Sequence, residues 1–440
     1  MASVLLGCRA PATSVRVVTV VEDVSSLRHP QREDGGAEAA ARRRVGRRRG
    51  LSDTLGLPRS RRRRCVAARD GDRGPRRSST PTPVQKETAN VSSKPFKLRS
   101  FALAVSLILA TASTAVPAAT LVVANKAEAT VSLIDLASGE VVATLPTGDG
   151  PHEADVSPDG RRALITNYGV RGKPGNSLTL IDLPGLRVVK TITLEGYSRP
   201  HGVEWLDDHR AAVTAEDQRA LLVVDVDKGV VEKAIDTAQE VSHMVAPTAD
   251  GKRAFVANIG SGSVTAVDLE AGERIKNVPT GDGAEGIAVT GDQVWVTNRA
   301  ADTVTVLDAT TLEVLKTMDC EGFPIRAAAT PDGAHVLVTR ARAGDLAIFS
   351  TQNLGEMRRV DLGLKVADTE NRLFGDRFGD SSVPIGIVVA SDGKRAFVAH
   401  ANADKITENE IPSGKRLRLL TAGKEPDGMA YSPLEVKKGN

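Results

Sequence analysis

The sequence is poor in the residues that usually announce a chemistry. Three cysteines occur in 440 residues: Cys8, Cys65 and Cys320. Only Cys320 lies beyond residue 100. No disulfide can form within that larger part, no cysteine-rich zinc site fits, and there is no Cys-x-x-Cys-His haem attachment. Cys320 stands in a loop before an apolar run and reads as a tolerated thiol, not a nucleophile. Aromatic residues make up 3%, with two tryptophans, Trp205 and Trp295. That is too few for a platform that stacks bases or sugars, or for tryptophan-rich docking of a quinone cofactor. There is no Gly-x-Ser-x-Gly elbow and no phosphate loop.

Basic residues are scarce after the first hundred positions. Residues 1–100 hold 23 Lys and Arg against 9 Asp and Glu, whereas residues 101–440 hold 35 against 46. The formal charge of +3 is therefore an average over two unlike pieces. An acidic larger piece argues against nucleic acid or an anionic membrane as its partner. Its length is ample for one large core.

The basic piece carries Arg42–Arg44, Arg47–Arg49 and Arg61–Arg64 among Gly, Ala, Pro and Ser, with no sustained apolar period. Like charges repel and bury little, so residues 1–93 are expected to be a disordered leader. Residues 94–118 have the order of a secretory signal peptide. Lys94, Lys97 and Arg99 come first, then the short apolar run Phe101–Ala112, then Val116-Pro117-Ala118 before a cut that leaves Ala119 at the new terminus. The run is too short for a comfortable membrane span. Such signals act at an N-terminus, so translation is expected to start near Val91, with export to the periplasm or cell surface. The alternative is a real leader, with 101–112 as an anchor.

From residue 121 the chain repeats itself. The first unit is 121–160, and the others begin at Ala163, Ala211, Ala254, Val294, Val336 and Ala396. A period near forty residues is the mark of a propeller or a solenoid. Each unit carries four short apolar runs. The first ends in Asn125, Asn167, Asn258 or Asn298 in four units, and the second ends in Asp in five. Asp-Gly turns such as 159–160 are hairpin signals. No amphipathic helical window interrupts the pattern. The expectation is an all-β, seven-bladed β-propeller of four-stranded antiparallel blades. The C-terminal strand, Asp427–Ser432, should complete the N-terminal blade and remove a free edge.

Ala254–Asn258, Val294–Asn298 and Ser157–Gly160 resemble the YVTN-type β-propeller repeat, over roughly residues 121–434. The resemblance implies a seven-bladed propeller in an exported bacterial setting and little about activity, since related propellers bind, scaffold or occasionally catalyse. The sixth and seventh units depart from the pattern, with Ser350 and Glu410 in place of the strand-end Asp.

Aligning the units on their hairpin Asp puts His152, His201, His243, Glu285, Ile325, Ile385 and Asp427 at one position, the start of each innermost strand. Around the ring this makes a contiguous arc, Asp427, His152, His201, His243 and Glu285, followed by an apolar gap. Imidazoles with a carboxylate suit a divalent transition metal such as Zn, Cu or Fe. The bland alternative is that each His only bonds a neighbouring loop. Arg199 and Arg326 border the mouth and are expected to pair with Glu285 and Asp427, or to hold an anion. His400 takes the strand-end Asn place and is a supporting candidate at the same mouth. Leu364–Ser382 is an insertion on that side, with Asp368, Glu370, Asp376 and Asp380 beside Phe374 and Phe378. It reads as a lid with an apolar patch, since it lacks the alternating acids of a calcium loop.

Three functions remain open at this point. The first is a monomeric, non-enzymatic module that binds a small ligand, a metal or a cell-envelope protein at the His-bearing mouth. The second is a metal-assisted, lactonase-like hydrolase in which His152, His201, His243 and Glu285 hold the ion and Asp427 acts as base. The third is a surface or adhesion protein without a site.

Overall fold

The computed structural model describes residues 118–437, apart from 365, 367–371 and 373. Asp368 and Glu370 therefore lie outside the described residues. Alternating β-branched and small residues form short strands that Asp and Gly terminate. Asp135, for instance, accepts hydrogen bonds from Ala137 N, Ser138 N and Ser138 Oγ at 2.7–3.1 Å, which turns the chain back.

The strands form seven separate four-stranded antiparallel sheets, and no helix occurs among the described residues. Blade 1 contains β1 (Thr120–Asn125), β2 (Thr130–Asp135) and β3 (Glu140–Pro146). Blade 2 is β4 (Pro151–Val156), β5 (Arg162–Val170), β6 (Lys173–Asp182) and β7 (Arg187–Thr193). Blade 3 is β8 (Pro200–Trp205), β9 (Arg210–Ala215), β10 (Ala220–Asp225) and β11 (Val230–Asp236). Blade 4 is β12 (Ser242–Pro247), β13 (Arg253–Asn258), β14 (Ser263–Asp268) and β15 (Glu273–Pro279). Blade 5 is β16 (Ala284–Thr290), β17 (Gln293–Asn298), β18 (Thr303–Asp308) and β19 (Val314–Asp319). Blade 6 is β20 (Pro324–Ala329), β21 (His335–Arg340), β22 (Asp345–Ser350) and β23 (Gly355–Asp361). Blade 7 is β24 (Pro384–Val389), β25 (Arg395–His400), β26 (Lys405–Glu410) and β27 (Arg416–Thr421). The last strand, β28 (Pro426–Ser432), returns to blade 1 and pairs with β1, with Leu121 opposite Tyr431 and Val123 opposite Met429. The ring closes as the repeat phase requires.

The core lies between blades. Middle strands bury both faces, as in β1, where all six residues are buried. Trp295 of blade 5 packs on Phe349 of blade 6 with ring centroids 5.8 Å apart. Each such fully buried apolar side chain stabilises the fold by about 1.5–3 kcal/mol. Threonines in the second strands stitch neighbouring blades: Thr166, Thr214, Thr297 and Thr339 donate to the carbonyls of His201, His243, Ile325 and Ile385. Those four carbonyls belong to the aligned arc position, so the stitching fixes that position whatever side chain it carries.

Candidate functional site

Every innermost strand begins the same way. The residue just before it (Gly150, Arg199, Val241, Gly283, Phe323, Val383, Glu425) is left-handed, with φ between 50 and 74°. Its carbonyl accepts the N–H of the residue that follows the strand-end position of the second strand, at 3.0–3.2 Å. Those donors are Lys126, Tyr168, Glu216, Ile259, Arg299, Ala341 and Ala401. Five of the seven left-handed residues are not glycine, and each stores about 1–2 kcal/mol of backbone strain. The ladder then slips, for example between Pro151 and Ala154 and between Ser242 and Val245. A bulge at this point turns two successive side chains, not one, toward the channel.

The bulge brings the aligned residues together edge to edge. Asp427 Oδ2 lies 3.2 Å from His152 Nδ1. The ring centroids of His152 and His201 are 4.0 Å apart, and those of His201 and His243 are 3.4 Å apart. His243 Nε2 lies 3.3 Å from Glu285 Oε1. All five residues are at least 93% buried. The arc is therefore contiguous in space as well as in blade order.

A second ring, from the donors named above, surrounds the first. Lys126 Nζ sits 2.6 Å from His152 Nε2 and 3.4 Å from Asp427 Oδ2. Tyr168 donates its hydroxyl to Glu216 Oε2 at 2.6 Å, and Glu216 Oε1 is 2.6 Å from His243 Nδ1. Arg299 pairs with Glu285 Oε2 at 2.5 Å. One residue further along the innermost strands, blades 1, 3, 5 and 7 carry Gly428, Gly202, Gly286 and Gly386. A Cβ on Gly386 would stand 1.9 Å from the Asp427 carbonyl oxygen, so this layer has no room for side chains there. Glu153 and Arg326 use the space that remains. Arg326 donates to Glu153 Oε1 at 2.7 and 3.1 Å and to Glu285 Oε1 at 2.8 Å, tying blades 2, 5 and 6 across the channel.

The electrostatics follow from burial. Desolvation, with Lys126 and Arg326 nearby, holds His152 well below the ordinary imidazole value. Desolvation and the two flanking imidazoles do the same to His201, so both rings are neutral. Burial opposes ionisation of Glu285, but Arg299, His243 and Arg326 outweigh it and keep the carboxylate charged. Burial also disfavours charge on Arg326, and Glu153, Glu285 and Asp427 hold it protonated. Below this layer the channel widens to a cavity of about 650 Å³, walled by Ala, Val, Ile and Met and containing Asp155 and Glu204. Burial pushes Asp155 up to about 6 and Glu204 higher than an ordinary carboxyl.

His201 stands apart. It is fully buried, yet neither ring nitrogen has a hydrogen-bond partner among the described residues. An orphaned buried donor or acceptor costs about 1–3 kcal/mol. Two nitrogen–carboxylate sets with mutually close ligand atoms share this residue: His152–Glu153–His201, and His201–Glu216–His243. The donor chemistry fits a divalent transition ion.

Several sequence expectations need correction. Glu285 belongs to neither set, because two arginines and the Nε2 edge of His243 occupy its carboxylate. Asp427 meets Lys126 and His152 through Oδ2, while its buried Oδ1 has no hydrogen-bond partner among the described residues. Arg326 does meet Glu285, but its other carboxylate is Glu153, not Asp427. Arg199 faces away from both acids: it pairs with Asp217 at 3.3 Å and lies 5.1 Å from the Tyr168 ring centroid. His400 bonds Ser382 Oγ and Thr407 Oγ1, and so supports its own blade as Asn258 does with Ser242 and Thr265. In the insertion, Phe374 and Phe378 pack with Phe323, Ile325 and Ile385 over the apolar gap, whereas Asp376 and Asp380 point to solvent. Cys320 is buried, with its thiol pushed up to about 12.

Lys126, Glu153, Tyr168, Glu216 and Arg299 were missed by the sequence reading. Four of them share one signal, the place immediately after the strand-end Asn or its equivalent. Glu153 had no such signal, because strict strand alternation points it away from the channel.

A family model described as YNCE-like beta-propeller matches residues 110–212 and 205–369. No curated protein matches the sequence. Among solved structures, a functionally unknown protein from Desulfotomaculum acetoxidans aligns at 15% identity and a TM-score of 0.59, covering 71% of this chain and 98% of that one. Hydrazine synthase of Kuenenia stuttgartiensis aligns at 17% identity and a TM-score of 0.54, covering 64% of this chain and 90% of that one. At such identities the likeness is one of fold.

Proposed function

The chain belongs to the YNCE-like beta-propeller family, and on that premise we propose that it is an exported binding module whose site is the imidazole arc at the channel mouth. The ligand is one divalent transition metal ion of the Zn, Cu or Fe class. His201, His243 and Glu216 would hold it. The observation that carries this reading is His201, a fully buried imidazole with both nitrogens unpartnered. In the metal-free chain a proton lies between His243 Nδ1 and Glu216 Oε1. An ion would take that proton's place, with Nε2–H kept against Glu285, a carboxylate that two arginines hold ionised. A bound ion supplies a Lewis-acidic point for an oxygen or nitrogen of a small ligand or of a cell-envelope partner. Export rests on the signal-like order of residues 94–118.

Four buried carboxylates (Glu153, Glu216, Glu285, Asp427) face three cations (Lys126, Arg299, Arg326) around the arc, so the cluster retains room for positive charge. Metal analysis of the full chain purified without chelators tests the proposal. Near one equivalent that disappears in His201→Ala is expected. No metal in either protein would overturn it. Because the ion displaces a proton, Zn²⁺ affinity should rise with pH.

A further inference from the structure

We infer that Lys126 decides which half of the cluster binds the ion, by acting as a built-in cation on His152. This rests on the metal reading above and deepens it. The two ligand sets overlap at His201, and a neutral imidazole has one lone pair to offer, so only one set can be filled at a time. Lys126 selects between them through the tautomer of His152. An ammonium group has three donors and no acceptor. At 2.6 Å it must donate to His152 Nε2, which fixes the ring proton on Nδ1. The oxygens nearest that nitrogen are Asp427 Oδ2 at 3.2 Å and Glu153 Oε1 at 3.9 Å, both off the hydrogen-bonding line. His152 then has no lone pair left for a metal. An ion beside it would also meet the ammonium charge at close range inside a low-dielectric site. On the other side no cation among the described residues touches His243, and Arg326 meets it only through the shared Glu285 Oε1. Its neighbours are the carboxylates of Glu216 and Glu285, which stabilise an ion there or a proton in its absence.

Lys126 is well placed for this role. Its backbone N–H is anchored to Glu425 O at 3.1 Å, and its side chain is 16% exposed. It reaches the cluster from the outer ring, where the corresponding residues are Tyr168, Glu216, Ile259, Arg299, Ala341 and Ala401. No other residue of that ring puts a cation on a histidine.

Zn²⁺ titration of five full-length chains tests the assignment, with Co²⁺ absorption as a second readout of nitrogen ligation. His152→Ala should bind within about threefold of the native affinity, whereas His243→Ala should weaken it about 100-fold. Adding Lys126→Met to His243→Ala should recover at least about tenfold, through His152, Glu153 and His201, with stoichiometry still near one. Loss of metal in His152→Ala would overturn the inference. So would failure of the double variant to recover while Lys126→Met alone keeps its equivalent. If the double variant does not fold, His152→Gln against His243→Gln decides by the same inequality. A native chain that binds no Zn²⁺ rejects the metal reading itself, a result distinct from a native equivalent that depends on His152.

Discussion

On one side of the channel mouth, blades 1–5 set Asp427, His152, His201, His243 and Glu285 in contact. On the other, blades 6 and 7 put Ile325 and Ile385 at the same strand position, with Ala341 and Ala401 behind them and Phe374 and Phe378 above. The backbone does not distinguish the two sides. All seven blades have the left-handed residue, the same closing hydrogen bond and the ladder slip. The apolar side shows that the ring closes without an ionisable group at this strand position. Buried ion networks are seldom more stable than well-packed apolar ones of the same volume. The apolar side thus gives no reason of closure for the polar one, whose buried nitrogens and carboxylates are what set the two sides apart.

The sharpest way to break that contrast is to unbalance the polar side. Arg326→Met leaves Glu153 and Glu285 buried without their shared cation. A loss of about 3–5 kcal/mol is expected in denaturant unfolding, far above the effect of an exposed Arg substitution.

A second test lies deeper on the same side. Asp155 titrates near 6 in the folded chain and near 3.8 when unfolded, so the folded state holds the proton more tightly. Stability from this group is full below pH 4 and falls as pH rises toward 6, by at most about 3 kcal/mol. Asp155→Asn should flatten that part of the profile.

The apolar side offers the opposite slope. His400 titrates near 3 when folded, against 6.5 unfolded, because burial and then Arg416 oppose its charge. Its contribution is full above pH 6.5 and is lost as pH falls toward 3. Between pH 6.5 and 5 this amounts to about 2 kcal/mol. His400→Asn restores the residue used in blades 1, 2, 4 and 5 and should remove the acid sensitivity, read as the difference in unfolding free energy at pH 7 and pH 5.

The smallest expected change tests the contrast most directly. His201→Ile gives blade 3 the side chain of blades 6 and 7. In metal-free protein it should raise stability by about 1–2 kcal/mol, since two orphaned nitrogens disappear, while metal binding is lost. A stability loss with metal retained would place the histidine among the structural residues.

The fold was legible because its signals repeat. Strand-end Asp135, Asp225 and Asp308, the Asn at 125, 167, 258 and 298, and the hairpin Asp159 each bond backbone or side chains locally, so the same letters recur wherever the same turn does. The arc was legible for the same reason, as one aligned position. Its ligand grouping was not. Glu153 enters the channel through a bulge that alternation hides. Glu216 and Lys126 act on histidines of the neighbouring blade, so neither pairing follows from the repeat. Glu285 looked like a ligand because no single repeat shows that Arg299 and Arg326 converge on it.

Closure through β28 has a consequence for the order of assembly. The partner of β1 lies about 300 residues later in the chain, as in the pairing of Val123 with Met429. At synthesis rates of about 5–20 residues per second, β1 waits roughly 15–60 s with one edge bare. Blade 1 must therefore be the last to complete, and with it arrive Asp427 and the Glu425 carbonyl that anchors Lys126. Until then the His152 side of the cluster lacks two of its fixed neighbours. A nascent or nicked ring would thus meet metal under different rules from a finished one, and metal supplied early would test the last strand as much as the site.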